Sequence, residues 1–291
     1  MKLIPVTNIN LQRPPILQVS NDVETITVTK GKHLIVTKNN EKNCSSAIDI
    51  QDTIIDACNF DNTTILITKT GRVKKFESTK VEKIKLDINA TVVSVIQKTK
   101  NIVIGTKEGK IVILNDYKPM KFIYELKESI TKLDVTLKNF IVATCVNSGI
   151  LYVINSKTLK KHTIDLEKDY ITAFDLYNGR YAVVGTVDGF VLYVSLEEKV
   201  VLATIRVEHI ISYIKSTSSG VFIGTVSGQL LFCEISREGI KIVLQESVPG
   251  VVNSIDIQNN KLSVLCGREE IQGSFYRNKT FKNVIVKYQI K

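Results

Sequence analysis

The chain has no tryptophan, and its only histidines are His33, His162 and His209. Three histidines this far apart in the sequence offer no Ser/His/Asp or Cys/His arrangement for nucleophilic catalysis. Acidic pairs such as Glu197–Glu198 stand in predicted loops, without a neighbouring histidine or an apolar pocket that would tune their pKa values for acid–base work. These absences predict a protein that is not an enzyme and needs no cofactor.

Cysteine is scarce and irregularly spaced. The five cysteines, Cys44, Cys58, Cys145, Cys233 and Cys266, occur without a CxxC motif or a Cys/His cluster. That pattern argues against a zinc site and against a disulfide framework. We therefore expect no metal, and we expect the cysteines to be small buried apolar residues in a reducing compartment.

Long apolar runs are absent as well. No run approaches the roughly 18 residues that are needed to span a bilayer. The opening residues, MKLIPVTNINLQRPP, also lack the apolar core of a secretion signal. The sequence predicts an intracellular protein without a membrane-spanning segment and without a small-molecule substrate.

Positive charge, in contrast, is in excess. The formal net charge is +10 over 291 residues, and the calculated pI is about 9.2. An excess of this size favours a polyanionic partner and carries no information about the fold. The apolar content of 44% and the charged content of 23% are ordinary for a globular protein, so a large core is expected.

A unit of about 40 residues recurs along the chain. Its clearest copies are NIVIGTKEGKIVIL, FIVATCVNSGILYVI, YAVVGTVDGFVLYV and VFIGTVSGQLLFCEI, and weaker copies precede them. Each copy has an apolar run, a small residue followed by Thr or Cys, a short polar turn ending in Gly, and a second apolar run. The turn glycines are Gly31, Gly71, Gly109, Gly149, Gly189 and Gly228, at spacings of 40, 38, 40, 40 and 39 residues.

The physical chemistry of the unit indicates β-structure. Runs rich in Val, Ile, Thr and Tyr fit a pleated sheet, and a turn glycine supplies the positive φ that a tight hairpin requires. Further strand-like runs flank each hairpin, such as ITAFDLY before it and VVLATIRV after it. Four strands in each unit are typical of a β-propeller blade. We predict an all-β, seven-bladed WD40-like β-propeller with degenerate repeats, formed by residues 1–291 as a single domain.

The seventh unit lacks its outermost strand. It contains VNSIDIQ (252–258), KLSVLCG (261–267) and NVIVKYQI (283–290). The opening stretch LIPVTNI (3–9) precedes a Pro-Pro break and has no other partner. We expect this N-terminal strand to complete the seventh blade and close the ring, because the pairing removes two exposed sheet edges.

The end of the chain, residues 267–291, departs from the repeat and predicts an atypical hairpin. From residue 273 onward it carries Lys and Arg but no acidic residue, with aromatic residues interleaved. Cations that pair with phosphates and flat rings that stack on bases suit irregular or single-stranded RNA. The alternative interpretation is one more buried strand with a solvated, charged edge.

This segment resembles the C-terminal end of the WD-repeat protein of the U3 small nucleolar ribonucleoprotein. The shared pattern has a Gly-x-Glu-x-x-x-Gly stretch, two aromatics, a basic-x-Lys step and a basic-Asn pair before the last strand. It falls on Gly267, Glu269, Gly273, Phe275, Tyr276, Arg277, Lys279, Lys282 and Asn283, and the Asn253–Ser254 pair also matches. The family's tryptophans are replaced here by Phe275 and Tyr276.

The resemblance implies a non-catalytic subunit of the nucleus and nucleolus. Such a subunit would bind U3 small nucleolar RNA at its box B/C region, beside the kink-turn-binding protein, in the small-subunit processome that matures 18S ribosomal RNA. Arg277, Lys279 and Lys282 would meet phosphates, while Phe275 and Tyr276 would stack on bases or pack against the blade. Arg268 and Asn283 complete the predicted RNA-binding set.

Two alternatives stay open at this point. The chain could instead be an adaptor propeller that binds only proteins, and the salt dependence of RNA binding separates the two functions. A second basic stretch, Lys69 to Lys85, is a rival contact face on the second blade. Its lysines equally suit a solvated outer strand, where they prevent edge-to-edge pairing.

Overall fold

The fold is described from a computed structural model. It covers the chain except for residues 12–14, 21–23, 30–32, 39–44, 61–62, 78–79, 97, 137, 139, 168–169, 237–238 and 269–279. All regular structure in the described residues is β-strand. Within the same residues there is no helix of the length and apolar character required to cross a membrane.

The chain forms strands of five to nine residues, as the alternating apolar runs predict. They are β1 (Leu3–Asn10), β2 (Pro15–Ser20), β3 (Glu24–Thr29), β4 (His33–Lys38), β5 (Ser45–Asp49), β6 (Ile54–Phe60), β7 (Thr63–Thr68), β8 (Val73–Glu77), β9 (Lys80–Ile84), β10 (Ala90–Ile96), β11 (Asn101–Thr106), β12 (Lys110–Asn115), β13 (Lys118–Glu125), β14 (Ile130–Val135), β15 (Phe140–Cys145), β16 (Ile150–Asn155), β17 (Lys161–Asp165), β18 (Ile171–Tyr177), β19 (Tyr181–Thr186), β20 (Phe190–Ser195), β21 (Val200–Arg206), β22 (Ile211–Ser216), β23 (Val221–Thr225), β24 (Gln229–Ser236), β25 (Gly239–Ser247), β26 (Val251–Gln258), β27 (Lys261–Gly267) and β28 (Val284–Ile290).

These strands form seven four-stranded sheets, which we number as blades 1–7. Blade 1 is β2–β5, blade 2 β6–β9, blade 3 β10–β13, blade 4 β14–β17, blade 5 β18–β21 and blade 6 β22–β25. Within each of these blades the strands lie in chain order. Blade 7 has the order β1-β28-β27-β26, so its outermost strand comes from the N-terminus, which confirms the predicted closure.

The pairing of β1 with β28 is antiparallel and nearly continuous. It runs from Leu3 opposite Ile290 to Asn10 opposite Val284, with one bulge between Pro5 and Thr7. Two further backbone hydrogen bonds join the ends beyond the strands: Lys2 N donates to Lys291 O (2.9 Å), and Lys291 N donates to Lys2 O (3.0 Å). The outer edge of β28 is therefore covered by the chain itself.

The chain divides into two compact units. The first contains residues 1–20, 26–30 and 171–291. Its core consists of one apolar cluster shared by blades 5 and 6 and another shared by blades 6 and 7 with β1. Phe222 and Phe232 lie fully buried in the second cluster, with ring centroids 4.7 Å apart.

The second unit contains residues 21–25 and 31–170. Apolar side chains of blades 2 and 3 form one of its clusters, and those of blades 3 and 4 form another. In both units apolar side chains of neighbouring blades pack together in these clusters, so hydrophobic stabilisation is gained between sheets.

The threonine of the repeat closes the turn between the second and third strands. Its hydroxyl accepts a hydrogen bond from the backbone N–H four residues later, which satisfies a donor that the hairpin leaves unpaired. The pairs are Thr68–Arg72 (3.1 Å), Thr106–Lys110 (3.0 Å), Thr186–Phe190 (3.1 Å) and Thr225–Gln229 (3.0 Å). Blade 4 has Cys145 at this position, and there Ser148 Oγ accepts from Ile150 N at 3.1 Å.

The turn glycines behave as expected in four blades. Gly71, Gly109, Gly189 and Gly228 have φ between 77° and 83°. The prediction is wrong at Gly149, because Asn147 adopts the left-handed conformation in that turn instead, with φ of 50°. Asparagine tolerates this conformation better than other non-glycine residues.

Three of the described cysteines are buried, as expected, and Cys58 is half-buried; all four are free thiols. Burial raises the pKa of Cys145 to about 11 and that of Cys233 to about 12. Thiols held in the protonated form are poor nucleophiles and poor metal ligands. No group of His, Cys, Asp and Glu suited to hold a metal ion occurs among the described residues.

Candidate nucleic-acid interface

The predicted RNA-binding segment lies between the second and third strands of blade 7. Strands β27 and β28 pair from Lys261–Gln289 to Cys266–Val284, and residues 268–283 connect them in the chain, with residues 269–279 outside the described part. We call these residues the blade 7 loop. The corresponding turn in blade 3 needs only residues 107–109, which makes the loop an insertion in an otherwise regular blade.

Hydrogen bonds join the two ends of the blade 7 loop to each other. Arg268 N donates to Asn283 Oδ1 at 3.1 Å, and Arg268 Nε donates to Phe281 O at 2.9 Å. The guanidinium and the amide thus bridge the two chain segments that enter and leave the loop. Both residues belong to the predicted RNA-binding set, and their observed contacts hold the base of the loop in place.

Neighbouring segments support this base. Lys282 N donates to Pro249 O (2.7 Å), and Leu11 N donates to Asn283 O (2.8 Å). A Cβ on Gly250 would lie 2.7 Å from Gly267 O and 2.9 Å from Lys282 O. Only glycine allows the backbone before β26 to come this close to the base of the loop, so the loop leaves the blade from a fixed position.

The predicted contact residues fall into two groups. Arg268 and Lys282 are exposed, whereas Asn283 is half-buried. The other four predicted residues, Phe275, Tyr276, Arg277 and Lys279, lie outside the described residues. The structure therefore brings together Arg268, Asn283 and Lys282 at one place, the base of the loop.

The Asn253–Ser254 pair of the resemblance lies in β26 and is buried. Ser254 Oγ accepts a hydrogen bond from Gln18 N of blade 1 at 3.4 Å. Since both side chains are inaccessible, this pair contributes to packing between blades and does not form part of a contact surface.

The rival basic stretch is balanced by acidic residues on one face of blade 2. The register of β8 and β9 sets Lys75 opposite Glu82 and Glu77 opposite Lys80, and Lys75 Nζ lies 2.6 Å from Glu77 Oε2. Strand β9 is the outermost strand of its sheet. These contacts favour the interpretation of this stretch as a solvated outer strand.

Sequence analysis missed a set of polar links between the first strands of neighbouring blades. Val93 N donates to Asp56 Oδ2 (2.8 Å), Ser94 Oγ donates to Asp134 Oδ1 (3.0 Å), and Ser216 N donates to Asp175 Oδ2 (2.6 Å). The signal was visible as an aspartate recurring inside otherwise apolar runs such as ITKLDVT and ITAFDLY.

Burial controls the charge of the groups around Asp56. Desolvation raises the pKa of Asp56 to about 6, although the Val93 amide and the Lys132 ammonium favour its ionised form. Desolvation also lowers the pKa of Lys132. Asp56 links two blades, and burial together with the Asp56 charge holds the pKa of the neighbouring Cys58 thiol well above its usual range, so these groups are better explained as structural than as catalytic.

Comparisons with known proteins bear on the fold. No protein-family model and no curated protein sequence matches the chain. Among solved structures, the chain is similar to RRP9 WD40 repeats, with a TM-score of 0.89, 13% identity and 100% of both chains covered. It is also similar to U3-55K, with a TM-score of 0.86, 13% identity and 97% of both chains covered.

The similarity extends to WD40 propellers of other kinds. The WD40 β-propeller domain of Doa1 matches with a TM-score of 0.79 and 12% identity, over 100% of this chain and 97% of that one. At such identities the comparisons establish the fold alone. The chain is an all-β, seven-bladed WD40-like β-propeller, a fold that typically serves as a non-catalytic binding platform.

Proposed function

We propose that this chain is a non-catalytic, RNA- and protein-binding subunit of the U3 small nucleolar ribonucleoprotein. In this role it binds U3 small nucleolar RNA at the box B/C region, next to the kink-turn-binding protein. It serves the small-subunit processome in 18S ribosomal RNA maturation and ribosome biogenesis, and it works in the nucleolus. Two of the similar solved structures, RRP9 WD40 repeats and U3-55K, agree with this assignment at the level of the fold.

The observation that carries the proposal is the blade 7 loop. It combines a firmly held base, made by Arg268 and Asn283, with a span of sequence rich in cations and aromatic rings. A base that is held in place presents phosphate-binding and stacking side chains at a lower entropic cost than a free tail does. Lys282, exposed beside the base, extends the same positive surface.

The decisive experiment measures the affinity of the purified protein for a box B/C fragment of U3 RNA as a function of salt. The logarithm of the affinity should fall linearly with the logarithm of the salt concentration. Combined replacement of Arg277, Lys279 and Lys282 by Ala should flatten the slope by about 2–3 units, since each lost phosphate contact removes roughly 0.7–0.9.

A matched control removes the same charge elsewhere in the first compact unit. Lys2, Lys241 and Lys261 are exposed lysines outside the blade 7 loop, and their combined replacement by Ala should leave the slope unchanged. Equal effects of the two triple variants would reject the loop as the contact. An unrelated structured RNA of the same length that binds as tightly as the U3 fragment would reject the U3 assignment.

One observation favours the second function, an adaptor that binds only proteins. The outer strands of blades 5 and 6 expose apolar side chains: Val200, Val201 and Leu202 on β21, and Ile242 and Val243 on β25. Contiguous exposed apolar residues of this kind mark protein contacts. Absence of RNA binding at low salt, together with loss of protein partners in a Val201→Lys, Leu202→Lys variant, would establish this alternative.

A further inference from the structure

Blades 3 and 4 carry their positive charge at one end of their sheets. In each blade the turns between strands one and two and between strands three and four emerge at the same end, because neighbouring strands are antiparallel. The charged residues described there are seven lysines and one aspartate: Lys98, Lys100, Lys118, Lys138, Lys157, Lys160, Lys161 and Asp116. All are exposed, and we call this surface, which carries a formal charge of +6, the lysine end.

The two blades present these turns side by side. Thr91 Oγ of β10 donates to Ile130 O of β14 (2.6 Å), and Ser94 Oγ of β10 donates to Asp134 Oδ1 of β14 (3.0 Å). These bonds join residues at corresponding places of the two first strands, so the strands run parallel and end on the same side. The turns of both blades therefore contribute to one surface.

A lysine at this end also joins the outer strands. Lys161 Nζ of blade 4 lies 4.6 Å from the ring centroid of Tyr124 in blade 3 and 5.6 Å from that of Tyr152 in blade 4. A cation over an aromatic face is stabilised by the ring quadrupole. The ammonium is thus held between the two blades, over rings that lie on the strands away from the turns of the lysine end.

The opposite end of the same blades has the opposite charge. The turns between strands two and three, and the connections that follow the fourth strands, contain three lysines and five acidic residues among those described: Lys107, Lys110, Lys127, Glu108, Glu125, Glu128, Asp165 and Glu167. The positive charge is therefore segregated along the strand direction. Such segregation creates a field that attracts a polyanion to one end only.

The lysine end has the composition of a surface for a polyanion and lacks that of a protein contact. Within the described part of the chain, the large apolar side chains that blades 3 and 4 expose are Val146 and Tyr170. Both lie at the end opposite the lysine end. A protein partner normally requires an apolar or aromatic patch at the centre of its interface. Lysines without such a patch suit the dense, regular charge of a nucleic-acid backbone.

We propose that the lysine end of blades 3 and 4 is a second RNA-contact surface, which binds the sugar-phosphate backbone without reading sequence. The proposal rests on the proposed function only in taking RNA as the polyanion. Lysine side chains act as point charges toward phosphates, and their position on separate turns spreads them along an extended strand. Binding at this surface would add affinity and salt dependence, while base recognition would remain with other segments.

The test uses the full chain and a labelled single-stranded oligouridylate, which has little structure to recognise. Combined Lys98→Gln, Lys118→Gln and Lys157→Gln replacement should weaken binding at low salt by at least about tenfold, and should flatten the salt dependence by about 2 units of slope. The matched control, Lys107→Gln, Lys110→Gln and Lys127→Gln, removes the same charge from the other end of the same blades and should change neither value. Unchanged thermal melting of both variants establishes that they are folded.

Binding of the lysine-end variant that equals that of the control would overturn the proposal. Displacement of the oligouridylate by polyglutamate at equal charge concentration would also overturn it, in favour of an acidic protein partner. Failure of the proposed function gives a different result from failure of the lysine-end surface. If the box B/C fragment binds no better than unrelated RNA while the lysine-end variant still loses oligouridylate affinity, the surface stands and the U3 assignment falls.

Discussion

At Gly105, Gly185 and Gly224 the second strand of one blade passes so close to the first strand of the next blade that a Cβ does not fit. A Cβ on Gly105 would lie 2.8 Å from Ile130 Cγ2, and the other two glycines face Ile211 and Val252 in the same way. The small residue of the repeat therefore serves the packing of neighbouring blades. Blade 4 has Thr144 in the aligned place, directly before Cys145, and it is fully buried.

Replacement of Gly224 by Ala should destabilise the protein by roughly 1–3 kcal/mol, the usual cost of overpacking a core. The methyl group would collide with Val252, which is completely buried. Urea denaturation measures the change in the free energy of unfolding. The additional substitution Val252→Ala opens space and should recover part of the loss, whereas a fully stable single variant would disprove the close approach.

Asp56 gives a prediction about pH. Its pKa rises from about 3.8 to about 6 on folding because the carboxyl is buried. Between these values the folded state keeps a proton that the unfolded chain releases. The contribution of Asp56 to stability is therefore highest below pH 4 and is lost as the pH rises toward 6. The contribution of this group to the free energy of unfolding should fall by roughly 3 kcal/mol across that interval.

The variant Asp56→Asn removes this titration while keeping an oxygen that accepts the hydrogen bond from Val93 N. We expect the free energy of unfolding of the variant to increase relative to that of the wild type as the pH rises. Denaturation from pH 4 to pH 7 measures this difference. A difference that stays constant over this range would show that the Asp56 pKa is ordinary in the folded protein.

Strand β1 is the clearest case at the scale of elements. It covers the outer edge of β28 through its whole length, and Leu3 joins the core of blades 6 and 7. Its remaining residues are mostly exposed. The strand therefore contributes through backbone pairing and one anchored side chain, which is how an isolated segment completes a sheet.

Deletion of residues 1–10 should lower the melting temperature by at least about 5 °C and promote aggregation, because the exposed edge of β28 can pair with other chains. Calorimetry and light scattering measure the two effects. Val6→Lys is the control, since Val6 lies at the bulge with 62% of its surface exposed and should tolerate the change. A truncated chain with wild-type melting would refute the role assigned to β1.

The strands themselves were predictable because their signals are local. Apolar alternation, turn glycines and spacing located the hairpins of blades 2–6, and the structure places strands at those runs. The turn of blade 4 was predicted wrongly at Gly149, where two residues compete for the left-handed conformation and Asn147 adopts it. Sequence alone does not rank neighbouring residues for such a position, because the outcome depends on how the turn packs.

On the scale of the whole molecule, the fold and the charge carry different information. The propeller supplies a stable framework, and its similarity to known WD40 structures extends to proteins of several kinds. The net charge of +10 indicates a polyanionic partner but gives no location. The distribution of charge over the blades provides that location, because lysines separated by up to about 60 residues in the chain meet at one end of blades 3 and 4.

The sequence by itself determined the repeated hairpins of blades 2–6, the all-β fold and the use of the N-terminal strand to complete blade 7. These properties follow from residue patterns within about 40 positions, together with the need to satisfy every sheet edge. Only the tertiary structure decided that Arg268 and Asn283 hold the base of the blade 7 loop, that the Asp56 carboxyl is desolvated, and that seven lysines share one surface. Those facts depend on which residues of different strands and blades come into contact, and of these contacts the recurring aspartate alone left a periodic trace in the sequence.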